Sequence, residues 1–259
     1  MKQPFLSNQC LSVAVLFALL NSLLTGTASA QKPDAASVIE KYRSAAIAKW
    51  ESHIAALEAE DQQQTDPHDG ILFIGSSSIR RWSTIAKDVA PYRGIERGYG
   101  GAKFTDLAVF AERLIQPHHF RAMVVFVAND VVGKPDDRPL DDVESAVKHI
   151  IRVANEHQPN APVLIVEVTP TEARFASWDK QRGVNAMLRE VALTTPNCYF
   201  VPTAGHYLRP DGQPRRELFV DDRLHLNSEG YRLWGLLIRR RLDEVLRLQV
   251  ETSSTDPSE

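Results

Sequence analysis

Three hydroxyls stand together in Gly75-Ser76-Ser77-Ser78, an aspartate lies three residues before a histidine in Asp222-Arg223-Leu224-His225, and an amide is followed by a carboxylate in Asn129-Asp130. These are the residue types of nucleophilic ester cleavage. A serine hydroxyl is a poor nucleophile at neutral pH until a base takes its proton. That base needs a third group to hold its tautomer, and fixed donors must face the oxygen on which charge develops. A three-residue step lets one turn of chain present Asp222 and His225 in the same direction. Asp221, four residues from the histidine, is the rival orienter. Spacing alone does not choose among Ser76, Ser77 and Ser78. Each fragment also has a plain structural use: serines cap helices, and an Asp with a nearby His is common in surface loops.

The surrounding pattern raises the chemical reading. Ile71 to Ile74 is a short apolar run of strand type. Gly75 then permits a tight turn, and a helix is expected to begin near Ser78. Gly94 to Gly98 reads as a second strand entering the glycine-rich turn Gly98-Tyr99-Gly100-Gly101. That turn is not a dinucleotide fingerprint, because no glycine stands three residues after Gly100. Ala122 to Val127 is a near-continuous apolar run of the kind a parallel sheet buries on both faces. Pro162 to Val168 and Tyr199 to Val201 are two further strands. Between them lie helical patterns at Phe104 to Ile115, Leu140 to His157 and Trp178 to Leu193, with Glu229 to Leu248 last and Val38 to Glu60 leading the domain. Strands and helices alternate five times, without repeats or a linker. The expected fold is therefore α/β, three layers deep, with a five-stranded, mainly parallel, doubly wound sheet. In such a sheet the Gly75, Gly101 and Asn129 segments share the carboxyl edge, where ligands bind.

Composition narrows the partners. The 259 residues carry a formal charge of −3 and a hydrophobic fraction of 43%, which suits one sizeable core. Nothing in that balance points to nucleic acid or an anionic membrane surface. Lys2, the mostly apolar Leu11 to Leu24 and the small-residue Ala28-Ser29-Ala30 predict a signal peptide cut after Ala30. Its removal leaves 29 basic against 33 acidic residues, a charge of −4, and no integral membrane segment. The chain then divides into residues 1–30 (signal peptide), 31–70 (amphipathic helix and loop), 71–249 (the α/β domain) and 250–259 (a disordered tail). A periplasmic or secreted location is expected, and Cys198 would be the sole thiol, read as a small buried residue. His118-His119 lacks acidic or thiol ligands at zinc-site spacing, so no metal is expected there.

Taken in order, the four sites resemble those of the SGNH/GDSL hydrolase family, from about Trp50 to the end of the last helix. The chain is closest to an exported bacterial group with a Gly-Ser-Ser-Ser-Ile first block. It shares that group's Pro170-Thr171-Glu172-Ala173-Arg174-Phe175 segment and its block from Glu217 to Asn227. The resemblance implies a flavodoxin-like SGNH fold and a serine esterase without cofactor or metal, acting on a small-molecule or carbohydrate ester. It assigns Ser77 as nucleophile, His225 as base and Asp222 as its orienter. The implied oxyanion donors are the N–H groups of Ser77 and Gly101 (Gly100 if the register is one off) and the Asn129 amide. The lack of a long apolar lid segment favours a small acyl group, acetyl first. Two alternatives share the fold: a sugar O-acyltransferase using the same triad, and a non-catalytic carbohydrate-binding module. Retention of Ser77, Asn129, Asp222 and His225 argues against the second. One departure stands out: Val127 occupies a position where the family usually has glycine, which predicts a re-aimed Asn129 or a narrowed pocket. Arg174 and Trp178 follow the fourth strand and are candidate pocket residues.

Overall fold

The computed structural model describes Met1 and residues 32–254, with side chains up to residue 249. Apart from Met1, the predicted signal peptide lies outside the described residues. The domain opens with α1 (Ala35–Asp61), capped by Asp34, whose carboxylate accepts the Ser37 N–H at 2.8 Å. Val38, Ile39, Tyr42, Ala46, Trp50 and Ile54 form its buried stripe at three- and four-residue steps. There follow β1 (Ile71–Gly75), α2 (Ser77–Arg80), α3 (Ile85–Asp88), β2 (Gly94–Gly98), α4 (Phe104–Val109), α5 (Ala111–Ile115) and β3 (Ala122–Phe126). Then come α6 (Leu140–His157), β4 (Val163–Val166), α7 (Trp178–Thr194), β5 (Cys198–Val201) and α8 (Ser228–Ser254).

The five strands form one sheet in the order β2-β1-β3-β4-β5, and every pairing is parallel. The chain therefore steps outward from β1 to β2, then reverses to β3 on β1's other side. Between β1 and β3 lies the switch point, where a crevice opens beyond the strand ends. Alternation along the strands builds two cores. Leu72, Ile74, Met123, Val125, Val163 and Ile165 face the layer of α1, α4, α6 and α7. Phe73, Val124, Phe126, Leu164 and Val166 face the layer containing Trp82, Tyr231 and Trp234. Each fully buried side chain of this size contributes about 1.5–3 kcal/mol, so the sheet is the rigid part of the molecule.

Gly75 is required where it stands. Its φ is +146°, and a Cβ there would lie 2.0 Å from the Phe126 carbonyl oxygen, across the register pair Gly75–Phe126.

Two elements differ from expectation. The helix expected over Phe104 to Ile115 breaks at Phe110, whose ring meets Tyr99 edge to face. α8 runs to Ser254, so five residues expected in the tail, 250–254, continue the helix; no Pro or Gly interrupts the chain between Gly235 and Pro257. His118 lies in the loop that follows α5 and is buried there, with Nδ1 2.9 Å from the Asp66 carboxylate. Cys198 is buried, and burial pushes its thiol up to about 12.

Candidate active site

β1 ends in the middle of the sheet, and the chain turns through Gly75 directly into the short helix α2. Ser76 is the buried cap position; its carbonyl takes the N–H groups of Ile79 and Arg80 at 3.0 and 3.3 Å. Ser77 is the first helical residue, so its N–H has no acceptor within the helix. Its Oγ lies 2.9 Å from His225 Nε2. Ser78 is held by its carbonyl, which accepts the Tyr231 hydroxyl at 2.9 Å. Of the three adjacent hydroxyls, it is that of Ser77 that meets the imidazole.

His225 reaches the site from a loop 148 residues away. Its Nδ1 is 2.6 Å from Asp222 Oδ2, while Asp222 Oδ1 accepts the N–H groups of Leu224 and His225 at 2.9 Å each. The carboxylate therefore fixes the tautomer: Nδ1 carries hydrogen and Nε2 is left to accept from Ser77. Partial desolvation raises the Asp222 pKa, but the backbone N–H and the ring of His225, with the Leu224 N–H, outweigh it and hold the carboxyl down to about 2. Asp222 is thus charged throughout the neutral range. The turn requires Arg223 at φ +57°, an uncommon conformation for a non-glycine residue. It is held there by Arg223 N–H to the Val220 carbonyl and by its guanidinium on Glu172, both 2.9 Å. Asp221, the rival orienter, points into solvent, with Arg216 3.9 Å away.

Asn129 follows β3 across the switch point. Its Nδ2 donates to the Ala102 carbonyl at 2.9 Å, and its Oδ1 accepts from Arg174 Nη2 at 2.8 Å. One Nδ2 hydrogen is left over. Asn129, Ser77, His225 and Arg174 line one cleft of about 30 Å³, small enough for only a few heavy atoms. A larger cavity of about 930 Å³ lies beside His118 and Asp66, near the amino ends of the strands, and contains none of these groups.

The other expected residues fall differently. Gly100 sits at φ +35°, and a Cβ there would come within 2.1 Å of Trp50. The Gly101 N–H donates to no backbone acceptor among the described residues, yet Gly101 does not line the cleft. Its loop reaches the site through Ala102. Asp130 turns away from the crevice: it is buried, and both its oxygens take the Phe104 N–H, at 3.0 and 2.9 Å. Burial pushes its carboxyl up to about 7 against those hydrogen bonds. Its work is to anchor α4 and, through α4, the glycine turn. Val127 is buried in the core, has no positive φ and does not line the cleft. The expected narrowing by its side chain is absent, because that side chain is buried in the core and does not reach the cleft. Trp178 lines a separate cavity with Glu167 and Arg182. The contact sequence reasoning missed is that of Arg174 with Asn129; no local pattern signals it, since the partners are 45 residues apart. Among the described residues no group of three His, Cys, Asp or Glu side chains is disposed to hold a metal ion.

The chain belongs to the GDSL-like lipase/acylhydrolase family, which it matches over residues 64–233. This makes it a hydrolase of the acylhydrolase type. No curated protein matches it. Among solved structures, one from Streptococcus pneumonia superposes with a TM-score of 0.66 at 18% identity, covering 80% of this chain and 99% of the other. A GDSL-like lipase from Bacteroides thetaiotaomicron gives 0.62 at 17% identity, covering 74% and 97%. An acetyl xylan esterase gives 0.56 at 21% identity, covering 66% and 98%. At these identities the likeness is one of fold.

Proposed function

We propose that this chain is a serine esterase that removes acetyl and similarly short acyl groups from hydroxyl-bearing compounds, carbohydrates among them. The observation that carries the reading is the unbroken chain Ser77 Oγ–His225 Nε2, 2.9 Å, and His225 Nδ1–Asp222 Oδ2, 2.6 Å. Ser77 Oγ attacks the ester carbonyl carbon as its proton passes to His225 Nε2. The carbonyl oxygen becomes an oxyanion facing the Ser77 N–H and the spare Asn129 Nδ2 hydrogen; Gly101, which does not line the cleft, is left out of this donor set. Collapse breaks the bond to the alkoxy group, which leaves with the proton from His225. Water, deprotonated by the same ring, then attacks the acyl-enzyme and frees the acid and Ser77. The small acyl limit rests on the cleft of about 30 Å³. It agrees with the acetyl xylan esterase and acetyl esterase among the similar structures.

The test is turnover of nitrophenyl acetate, butyrate and octanoate by the protein and by Ser77→Ala. We expect acetate to be the best substrate, octanoate to be negligible, and the variant to lose at least ~10³-fold in rate. Equal rates in both proteins would refute Ser77 as nucleophile. A preference for octanoate would refute the short acyl limit.

A further inference from the structure

We propose that Arg174 is a positioning residue for the oxyanion: it locks the Asn129 carboxamide with its nitrogen toward the reacting centre and sets an uncompensated positive charge behind it. The proposal rests on the reading of Ser77 as nucleophile and Asn129 as oxyanion donor.

The guanidinium makes two contacts on consecutive residues at the end of β3. Nη1 donates to the Ala128 carbonyl and Nη2 to Asn129 Oδ1, each at 2.8 Å. A primary amide has two orientations that differ little in shape. Here they differ greatly in bonding. As it stands, Oδ1 meets a donor and Nδ2 meets the Ala102 carbonyl. Turned over, Nδ2 would face the guanidinium, donor against donor, and Oδ1 would face the Ala102 carbonyl, acceptor against acceptor. Arg174 and Ala102 thus hold the amide from its two ends. They leave one Nδ2 hydrogen for an oxygen in the cleft that Arg174 also lines.

The charge matters as well. Arg174 forms no ion pair among the described residues, although Glu172 is two positions away; Glu172 is taken by Arg216 and Arg223. Burial disfavours the charged form of Arg174. A cation held without a counter-ion on Oδ1 draws electron density through the carboxamide and strengthens its spare N–H as a donor to negative charge. In ester cleavage that charge appears on the oxyanion and is gone again in the acyl-enzyme. An interaction that strengthens only there raises kcat rather than lowering KM.

The experiment is a double-mutant cycle with Arg174→Met, Asn129→Ala and the pair, read as kcat and KM on nitrophenyl acetate. Thermal unfolding establishes that each variant is folded. Arg174→Lys is the second variant, since it keeps the charge but not the two-pronged geometry. We expect Arg174→Met to lower kcat about 10- to 100-fold with KM changed less than about threefold. Arg174→Lys should fall between wild type and Arg174→Met. The pair should be within about threefold of Asn129→Ala alone, because Arg174 acts through that amide. Losses that multiply in the pair would overturn the proposal, as would a KM rise at unchanged kcat in either Arg174 variant. Wild-type turnover by Ser77→Ala would instead bring down the reading beneath it, so the two failures are told apart.

Discussion

Replacing Asp222 by Asn changes one atom of the site and should remove nearly all of its activity. Asp222 Oδ1 accepts two backbone N–H groups at 2.9 Å, so the carboxamide oxygen will keep that position. The amide nitrogen then occupies the place of Oδ2, 2.6 Å from His225 Nδ1. It donates, so Nδ1 must accept, and the ring hydrogen moves to Nε2. An Nε2–H facing Ser77 cannot take the serine proton. Restoring the productive tautomer requires turning the amide over, which breaks two backbone hydrogen bonds worth about 1 kcal/mol each and sets donors against donors. That costs about 2–4 kcal/mol in all, a factor of about 30 to 10³. Loss of the carboxylate removes a further ~1.5–3 kcal/mol of support for the imidazolium. Together, about 3.5–7 kcal/mol, the expected fall in kcat is about 400- to 10⁵-fold, with KM little changed. The assay is nitrophenyl acetate turnover, with Asp221→Asn beside it. Asp221 is solvent-exposed and far from the ring's hydrogen bonds, so that variant should stay within about twofold. A loss under tenfold in Asp222→Asn would refute the role assigned to the carboxylate.

Gly75→Ala should cost about 3–5 kcal/mol, because the new methyl meets the Phe126 carbonyl at 2.0 Å at a φ of +146°. Urea midpoints would measure it, and Gly101→Ala, with nothing within 4 Å of its Cβ, is the matched control expected to leave stability within about 0.5 kcal/mol. Asp130 provides a pH signature. Its folded pKa of about 7 lies above its ordinary 3.8, so its contribution to stability is greatest below about pH 4 and is lost as pH rises through about 7. Denaturant midpoints for the protein and for Asp130→Asn, taken from pH 4 to 8, should therefore show the variant gaining on the wild type with rising pH. A constant difference would show that Asp130 does not titrate in that range.

Much of this was legible in the sequence because the sheet imposes it. Apolar runs ending in Gly75, Gly98 and Ala128 have no other reading once five of them alternate with helices, and the bounds of α6 coincide with the expected span. The four functional segments were placed on one edge by topology alone. What could not be read were choices made by tertiary contact. Ser76, Ser77 and Ser78 are the same residue type, and their fates diverge because one is the cap, one begins the helix and one is held by Tyr231. Asp222 wins over Asp221 because Arg223 adopts a left-handed φ, held by Val220 and Glu172. Val127 looked disruptive by comparison with a glycine, yet its backbone requires none.

The histidine's placement on a loop raises a question of rigidity, since its Nε2 must stay within a fraction of an ångström of Ser77. The segment from Glu217 to Asn227 answers it by being tied down at both ends. Phe219 and Leu226 pair as an antiparallel bridge, and the Val220 N–H donates to the His225 carbonyl at 2.9 Å. Leu218, Phe219 and Leu226 are buried in the core beneath. Asn227 closes the strap: its Nδ2 donates to the Glu217 carbonyl at 2.8 Å, and its Oδ1 takes the Gly230 N–H at 3.0 Å as the cap of α8. α8 is in turn registered against the serine's own helix. Tyr231 stacks on Trp82 at 5.6 Å and donates to the Ser78 carbonyl, while Trp234 meets Phe126 of β3 edge to face at 4.8 Å. The nucleophile, the base and the strand that carries Asn129 thus share one aromatic cluster on the underside of the sheet's carboxyl edge. That cluster accounts for the length of the last motif: most of its residues position His225 rather than touch substrate, and only two of them belong to the chemistry.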